Sequence, residues 1–570
     1  MNGFVTFLTR RESLYVPLLL VAVTAVLYGH TLAVPFYLDD PAVLTNNPLL
    51  RDLGAALAKV FSQRGLTNLT YAVNYRLGGW ALAPLHLVNI ALHAGCALLV
   101  WQLLRQLLPG SRLPLPGALL FLAHPLQTQA VTYLSQRSTV LGAFCFLLAM
   151  LLYLKARAAL VAGQRRGSPG WLCPYFGAVV AGACAVLAKE NTATLPLVLI
   201  AYDRLFPGAG GDDLRPRLRD ALPFFLMPLL LAGLSVYQLA TSGDGVALGS
   251  ELVSLRHNSP LHYLVTQFSV LWIYLRLLLL PYGQALLHNY PVVAELVTWQ
   301  NGLALAGWLG VGGLVWRGRR RRPLLAFGVA WFFLTLMVES SVIPLDPLFE
   351  HRLYLPMFGF TLVLLDGLPG MLGERRALLV FGLTLLVCLP LTWRRNALWQ
   401  EPLAFYQDNL RVAPDSERVL EYLAMTKGEA GDFPGALEHL RRAVAINPDD
   451  ASIYNNLGVI HAWMGEDRQA ADYFEQSLKL APGSQETLFN YAATLFTLGD
   501  RSKAFTVLRT VVKHFPDNAD AQYGLGTLAI EFGRRDEVFA ARDALRRLGD
   551  EARARELDLL LKSPTPEENR

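Results

Sequence analysis

The chain has 570 residues, 53% of them hydrophobic and 17% charged, with a mean hydropathy of +0.34. That is too apolar for a soluble protein and too long for a single domain. A net charge of +5 over this length argues against a nucleic-acid partner, and the five cysteines lie in apolar runs with neither metal-ligand spacing nor a disulfide framework.

Arg10 and Arg11 precede the first apolar run, Leu14–Val34. It is longer than a signal-peptide core and no small-residue cleavage pattern follows, so it reads as a retained span. Next comes Phe36–Pro48, which carries two adjacent carboxylates, Asp39 and Asp40, where the chain leaves the membrane. Like charges oppose each other's ionisation, and partial desolvation raises a carboxylate pKa further, which suits a general base. The bland alternative is that one of the pair caps a short interfacial helix with Pro41 at its first position.

A polar, membrane-hugging stretch follows to about Ala83, with a helical pattern over Leu53–Phe61. Further apolar runs occupy 84–108, 114–134, 138–157, 171–188, 192–206, 222–240, 262–280, 299–316, 323–342, 353–371 and 377–393. Basic residues favour cytoplasmic loops. If 262–280 crossed, the Arg317–Arg322 cluster and Arg375-Arg376 would fall outside; if it does not, both fall inside. That run contains Arg276 and lies between Pro260 and Pro281, so an interfacial or re-entrant helix is expected. About eleven spans remain, with the N-terminus cytoplasmic and the C-terminus outside.

On the outer side the few ionisable residues stand close to the membrane: Arg137, Lys189-Glu190 and Glu350-His351-Arg352. Charges there are expensive unless paired or solvated, which makes them functional candidates beside the reading that each is a snorkelling anchor. His86 and His93 share a face with Asn89 on the second span, and core packing or helix-to-helix hydrogen bonding is the expected role.

Beyond Trp393 the pattern becomes a repeat. Pro414, Pro448, Pro482 and Pro516 are 34 apart, as are Gly431, Gly465, Gly499 and Gly533. Ala424, Gly458, Ala492 and Gly526 recur in phase, as do Ala436, Ala470 and Ala504. This is the tetratricopeptide pattern, in which small residues let paired helices approach, glycine turns the chain and proline ends the unit. Four units over Glu417–Asp550 are expected, the last a capping repeat with Val538 and Arg542 in place of the usual small and bulky apolar residues. The tail after about Leu561 reads as disordered. The domain plan is therefore 1–395, a linker over 396–416, repeats over 417–550, and a helix end with tail over 551–570.

The Asp39-Asp40 loop, Leu-Thr-Tyr71-Ala-Val-Asn74-Tyr75, His86-Leu-Val-Asn89-Ile-Ala-Leu-His93, His124-Pro-Leu-Gln-Thr-Gln-Ala-Val, Ser-Gln-Arg137-Ser, Ala-Lys189-Glu190-Asn and Phe-Glu-His351-Arg352-Leu-Tyr354-Leu-Pro run in that order. Together they resemble the transmembrane and tetratricopeptide repeat-containing proteins among the GT-C glycosyltransferases, and more closely their prokaryotic relatives. Gln129 departs from the family's Glu, and Gly65 from its Pro. The resemblance implies an all-α fold, a GT-C-like bundle of about eleven transmembrane helices followed by a tetratricopeptide α-solenoid. It also implies an inverting glycosyltransferase, with a polyprenyl-phosphate-linked sugar as donor (mannose in eukaryotic members) and Ser/Thr of a protein as acceptor. A bacterial inner membrane with periplasmic or otherwise extracytoplasmic repeats would follow.

In that chemistry Asp39 or Asp40 takes the proton of the attacking hydroxyl, with Asp39 favoured because it lies nearer the membrane edge. Arg137, Lys189 or Arg352 stabilises the departing phosphate, and Glu190, His351 and Tyr354 support them. The scheme requires no metal or other cofactor, and dependence on a divalent metal stays open. The partners are the lipid-linked donor and an acceptor polypeptide held in the groove of the repeats. Two alternatives stand beside this reading: a non-catalytic membrane-anchored scaffold, and a transferase acting on a glycan or lipid.

Overall fold

The computed structural model describes residues 2–207, 215–241 and 259–562, and among these it is helical with no strand. The chain divides into two compact units, Met1–Phe405 and Tyr406–Arg570. The segment expected to be a disordered tail, residues 563–570, lies outside the described residues.

The first unit is a helical bundle: α1 (Asn2–Tyr28), α2 (Leu53–Ala58), α3 (Gly65–Gly78), α4 (Leu82–Leu107), α5 (Pro114–Ala123), α6 (Gln127–Thr132), α7 (Arg137–Val161), α8 (Pro169–Ala188), α9 (Leu195–Leu205), α10 (Arg215–Ala221) and α11 (Leu226–Thr241). It continues with α12 (Pro260–Leu279), α13 (Trp299–Gly318), α14 (Pro323–Leu336), α15 (Pro356–Leu372) and α16 (Glu374–Leu398). Among the described residues six helices are long and apolar enough to cross a membrane: Leu14–Ala33, Leu82–Leu107, Leu134–Val161, Pro169–Ala188, Pro260–Leu279 and Glu374–Leu398. Pro114–Ala123, Pro323–Leu336 and Pro356–Leu372 are apolar but shorter.

Two runs expected as single spans differ in detail. The run 114–134 breaks into α5 and α6, because His124 precedes Pro125 and takes an extended backbone (ψ 131°). The run 192–206 keeps only the 11 helical residues of α9, entered through a tight turn over Glu190–Thr194.

Polar contacts gather at two opposite ends of the bundle. At one end Arg157 pairs with Asp203 at 3.0 Å, Arg166 with Asp220 at 2.9 Å and Arg322 with Asp366 at 3.6 Å. Glu374, opening α16, accepts from Ser111 and Arg112. At the other end lie Asp40, Arg137, Lys189, Glu339 and Glu350, all buried. Helix α7 joins the two layers, since Arg137 and Arg157 are about 30 Å apart along it, the thickness of a hydrocarbon core. Close packing of α14 on α15 fixes the hairpin between them. A Cβ on Gly328 would lie 2.6 Å from the Gly359 carbonyl oxygen, and one on Gly359 2.5 Å from that of Gly328.

Helix α12 is long enough to cross, yet both its ends touch the same layer. Tyr263 in its first turn donates to the Glu339 carbonyl at 2.7 Å, Gln267 to that of Pro347 at 3.2 Å and Tyr274 to that of Phe349 at 3.2 Å. Just past its end, Ala285 donates its N–H to Glu350 at 2.7 Å.

The second unit is built from four helix pairs: Glu417–Glu429 with Phe433–Ile446, Ala451–Trp463 with Asp467–Leu480, Gln485–Thr497 with Arg501–His514, and Ala519–Glu531 with Arg535–Arg547. A last helix, Glu551–Lys562, follows. The 34-residue glycines turn each pair: Gly431, Gly465, Gly499 and Gly533 have φ between 66° and 84°, a region that penalises any Cβ. Ala436, Ala470 and Ala504 are buried where the paired helices meet. In the fourth pair Arg542 reaches outward to Asp558 of the last helix at 3.0 Å, and Leu557 of that helix covers Gly526. That helix closes the end of the array, as a capping element does.

Candidate functional site

The loop after α1 turns sharply. Leu38 has φ of 43°, a left-handed backbone uncommon for a branched side chain. Asp40, 1% exposed, holds that turn with both carboxylate oxygens. One accepts the Tyr37 N–H at 3.0 Å; the other accepts the Ser135 N–H at 2.7 Å and its hydroxyl at 2.8 Å. Tyr133 accepts the Asp39 N–H at 3.0 Å, and Tyr37 donates to the Trp399 carbonyl at 2.6 Å. The Asp39 side chain, by contrast, is exposed. Burial pushes the Asp40 carboxyl up to about 7, against the pull of its three hydrogen bonds. The two aspartates therefore differ: Asp40 is committed to the loop, and Asp39 is presented by it.

Four residues beyond Ser135, one helical turn, Thr139 accepts from the Lys189 ammonium at 2.9 Å. Lys189 also pairs with Glu339 at 3.1 Å, and Asn191 donates to the other Glu339 oxygen at 3.1 Å. Gly142 admits this segment, since a Cβ there would meet that of Lys189 at 3.2 Å. Glu190 pairs with Arg64 at 3.2 Å near the surface. The charge of Arg352 reaches Glu339, while the Tyr263 and Tyr274 hydroxyls stand within hydrogen-bonding reach of its guanidinium. Lys189, Glu190, His351 and Arg352 thus belong to one cluster, a turn of helix away from the Asp40 loop.

Arg137 has a different setting. It is fully buried, and its N–H groups go to Asn89 at 2.9 Å, Asn74 at 2.6 Å, Leu85 carbonyl at 2.8 Å and Thr70 at 3.4 Å, with the Tyr71 ring 4.2 Å from its centre. Those bonds tie α3 and α4 to the start of α7. Tyr354 lies in the helical core, its hydroxyl 2.7 Å from His93 Nδ1, apart from the cation cluster. His93 Nε2 faces the Leu122 carbonyl of α5, the helix-to-helix role expected of it, whereas His86 Nε2 faces the Val34 carbonyl in the loop after α1.

The family departures have local accounts. Gln129 accepts the His351 N–H at 2.6 Å and donates to the Leu286 carbonyl at 3.0 Å; a carboxylate could do only the first. A Cβ on Gly65 would lie 2.4 Å from the Val60 carbonyl oxygen. Sequence reasoning missed Glu339, although an acidic residue inside the expected span 323–342 was the available signal. It also missed the bonds Glu350 makes to Gln284, Ala285 and His288, which anchor the irregular segment after α12. No group of three or more metal-ligating side chains occurs among the described residues.

Residues 429–465, 451–484 and 490–549 match tetratricopeptide repeat families. Over 90% of its length the chain is 23% identical to protein O-mannosyl-transferase TMTC3 of Mus musculus, covering 62% of that protein. It is 26% identical over 78% of its length to protein O-mannosyl-transferase TMTC1 of Homo sapiens, covering 56% of it. A shorter stretch, 33% of the chain, is 33% identical to protein O-mannosyl-transferase tmtc2 of Xenopus laevis, covering 23% of it. The chain thus spans under two thirds of the length of these curated relatives. Along most of its length it is related to the TMTC proteins, and its second unit is a tetratricopeptide array.

Proposed function

We propose that this is an integral-membrane glycosyltransferase that moves a sugar from a polyprenyl-phosphate donor to a Ser/Thr hydroxyl of a polypeptide on the non-cytoplasmic side. The observation that carries it is the exposed Asp39 carboxylate, held by a pinned turn one helical turn from the buried Lys189–Glu339 pair. Relatives named as protein O-mannosyl-transferases support the same class.

The acceptor oxygen attacks the anomeric carbon and the bond from that carbon to the phosphate oxygen breaks. Asp39 receives the hydroxyl proton as the new bond forms, and polyprenyl phosphate leaves with the electron pair. One base and a direct displacement invert the anomeric centre. Charge on the departing phosphate needs a cation, and Lys189 and Arg352 are the residues proposed to supply it, because the donors of Arg137 are spent on Asn89, Asn74, Thr70 and Leu85. The sidedness rests on eleven crossings: α12 begins and ends at one polar layer, and the basic residues Arg112, Arg157, Arg166 and Arg322 gather at the other. Small helix pairs stacked in series form a concave surface, which suits an extended acceptor. Incubation with a labelled polyprenyl-phosphate sugar and a Ser/Thr peptide tests the reading. Label on the peptide supports it; label on a glycan or lipid moves the acceptor class, and no transfer supports a scaffold.

A further inference from the structure

Three loops meet at the polar layer that holds Arg157 and Arg166. The loop before α5 touches the head of α16, where the Ser111 hydroxyl and the Arg112 N–H both reach Glu374 at 3.0 Å. The run Arg317–Arg322, between α13 and α14, touches the end of α15. There Arg322 pairs with Asp366, and a Cβ on Gly370 would lie 2.5 Å from its guanidinium. These contacts bring the five arginines of Arg317–Arg322 beside Arg375 and Arg376 in the first turn of α16. The two carboxylates of these loops are already engaged, Asp366 by Arg322 and Glu374 by Ser111 and Arg112. Arg317, Arg320, Arg321, Arg375 and Arg376 are exposed, and among the described residues they have no carboxylate partner. Like charge concentrated in this way repels itself and attracts anions.

The helices that carry these arginines are bare on an apolar face. On α16, Arg375, Leu379, Leu383 and Leu386 follow one another at helical spacing, and the three leucines are 69, 64 and 68% exposed. On α13, Leu309 and Trp316 lie two turns apart and are 67 and 66% exposed, with the Arg319 guanidinium 3.7 Å from the Trp316 ring. We propose that this surface holds anionic phospholipids of the adjoining leaflet, headgroups on the arginines and acyl chains along α13 and α16. An acidic polypeptide would satisfy the arginines but leave the leucines bare, whereas a phospholipid carries both complements in one molecule. The inference needs only that the first unit lies in a membrane, and it stands apart from sugar transfer. Basic loops that served solely to orient the chain during insertion would show no preference among lipids afterwards.

The test uses the full-length protein in nanodiscs of phosphatidylcholine with a minority of phosphatidylglycerol, the lipids that stay bound being identified by native mass spectrometry. Phosphatidylglycerol should be enriched about tenfold over its share of the disc, and each of two variant pairs should cut that to about twofold. The pairs are Arg320→Gln with Arg321→Gln, and Arg375→Gln with Arg376→Gln. Both remove exposed groups that lack a carboxylate partner, so the melting temperature in pure phosphatidylcholine should hold. Lysine at the same positions should keep the enrichment, and raising the salt to about 1 M should weaken it. Phosphatidylglycerol at no more than its share on the native protein overturns the proposal. Enrichment that both glutamine pairs leave intact overturns its location. Lysine pairs that behave as the glutamine pairs do overturn the charge argument, and displacement of the lipid by soluble polyglutamate overturns the lipid as occupant.

Discussion

Replacing Asp40 by asparagine keeps the outline of the side chain and removes one acceptor. The amide oxygen can retain the Ser135 N–H and hydroxyl, but the amide nitrogen then faces the Tyr37 N–H across what was a 3.0 Å hydrogen bond. A buried donor left against another donor costs about 1–3 kcal/mol, and it lies next to Leu38, whose backbone already stores roughly 1 kcal/mol or more of strain. The turn should loosen, lowering the melting temperature and displacing Asp39, with a rate loss of about ten- to a hundredfold. Asp39→Asn touches an exposed group, so stability should change by no more than about 0.5 kcal/mol while the rate falls about a hundredfold or more. Transfer assays and thermal melts on both variants separate the roles. The pH profile adds a third readout. The Asp40 carboxyl, raised to about 7 by burial, completes its three bonds only when ionised, so native activity should climb through about pH 7. That limb should flatten in Asp40→Asn. An inactive Asp40→Asn of normal stability beside an active Asp39→Asn would make Asp40 the base and refute this account.

Arg137→Gln should lower membrane abundance and melting temperature, by roughly 3 kcal/mol or more, without raising the donor Michaelis constant of the folded fraction. Reporters active only outside the cytoplasm, fused after Ser259 and after Asn289, should both be active, as should one after Arg570; one silent member of the first pair means that α12 crosses. Glu421, raised to about 7 by burial despite bonds from Ser452 and Asn456, has a folded pKa above its unfolded one. Its contribution is therefore present at low pH and lost as pH rises through about 7, so the repeats should melt higher at pH 5 than at pH 8, and Glu421→Gln should flatten the difference. Truncation after Asp415 should raise the Michaelis constant for long protein acceptors while sparing a short Ser/Thr peptide, because a tethered groove acts through local concentration. Loss towards both acceptors, in a truncated protein still folded in the membrane, would place the repeats in the active site.

Much of this architecture was legible in the chain because periodicity is local. The 34-residue recurrence of Gly431, Gly465, Gly499 and Gly533 carries its own backbone reason, a positive φ at each turn. Apolar runs likewise announce helices, although the break at His124-Pro125 shortened one and the turn at Glu190–Thr194 another. The candidate site was legible only in part. Lys189, Glu190, His351 and Arg352 drew attention as charges at a membrane edge, and the fold brings them together. Only nearness to the membrane edge separates Asp39 from Asp40 locally, and nothing local separates Arg137 from Arg352, because the difference lies in partners far along the chain: Ser135 for Asp40, and Asn74 and Asn89 for Arg137. The pairing of Lys189 with Glu339 across 150 residues is of the same kind.

The central claim is that Asp39 deprotonates an acceptor hydroxyl while a lipid phosphate leaves. Its most direct measurement is transfer from a radiolabelled polyprenyl-phosphate mannose to a Ser/Thr peptide by purified native protein and by Asp39→Asn, with the anomeric configuration of the product determined. The account predicts a labelled peptide with inverted configuration and loss of label in the variant at unchanged melting temperature. Retained configuration, or full transfer by Asp39→Asn, would contradict it.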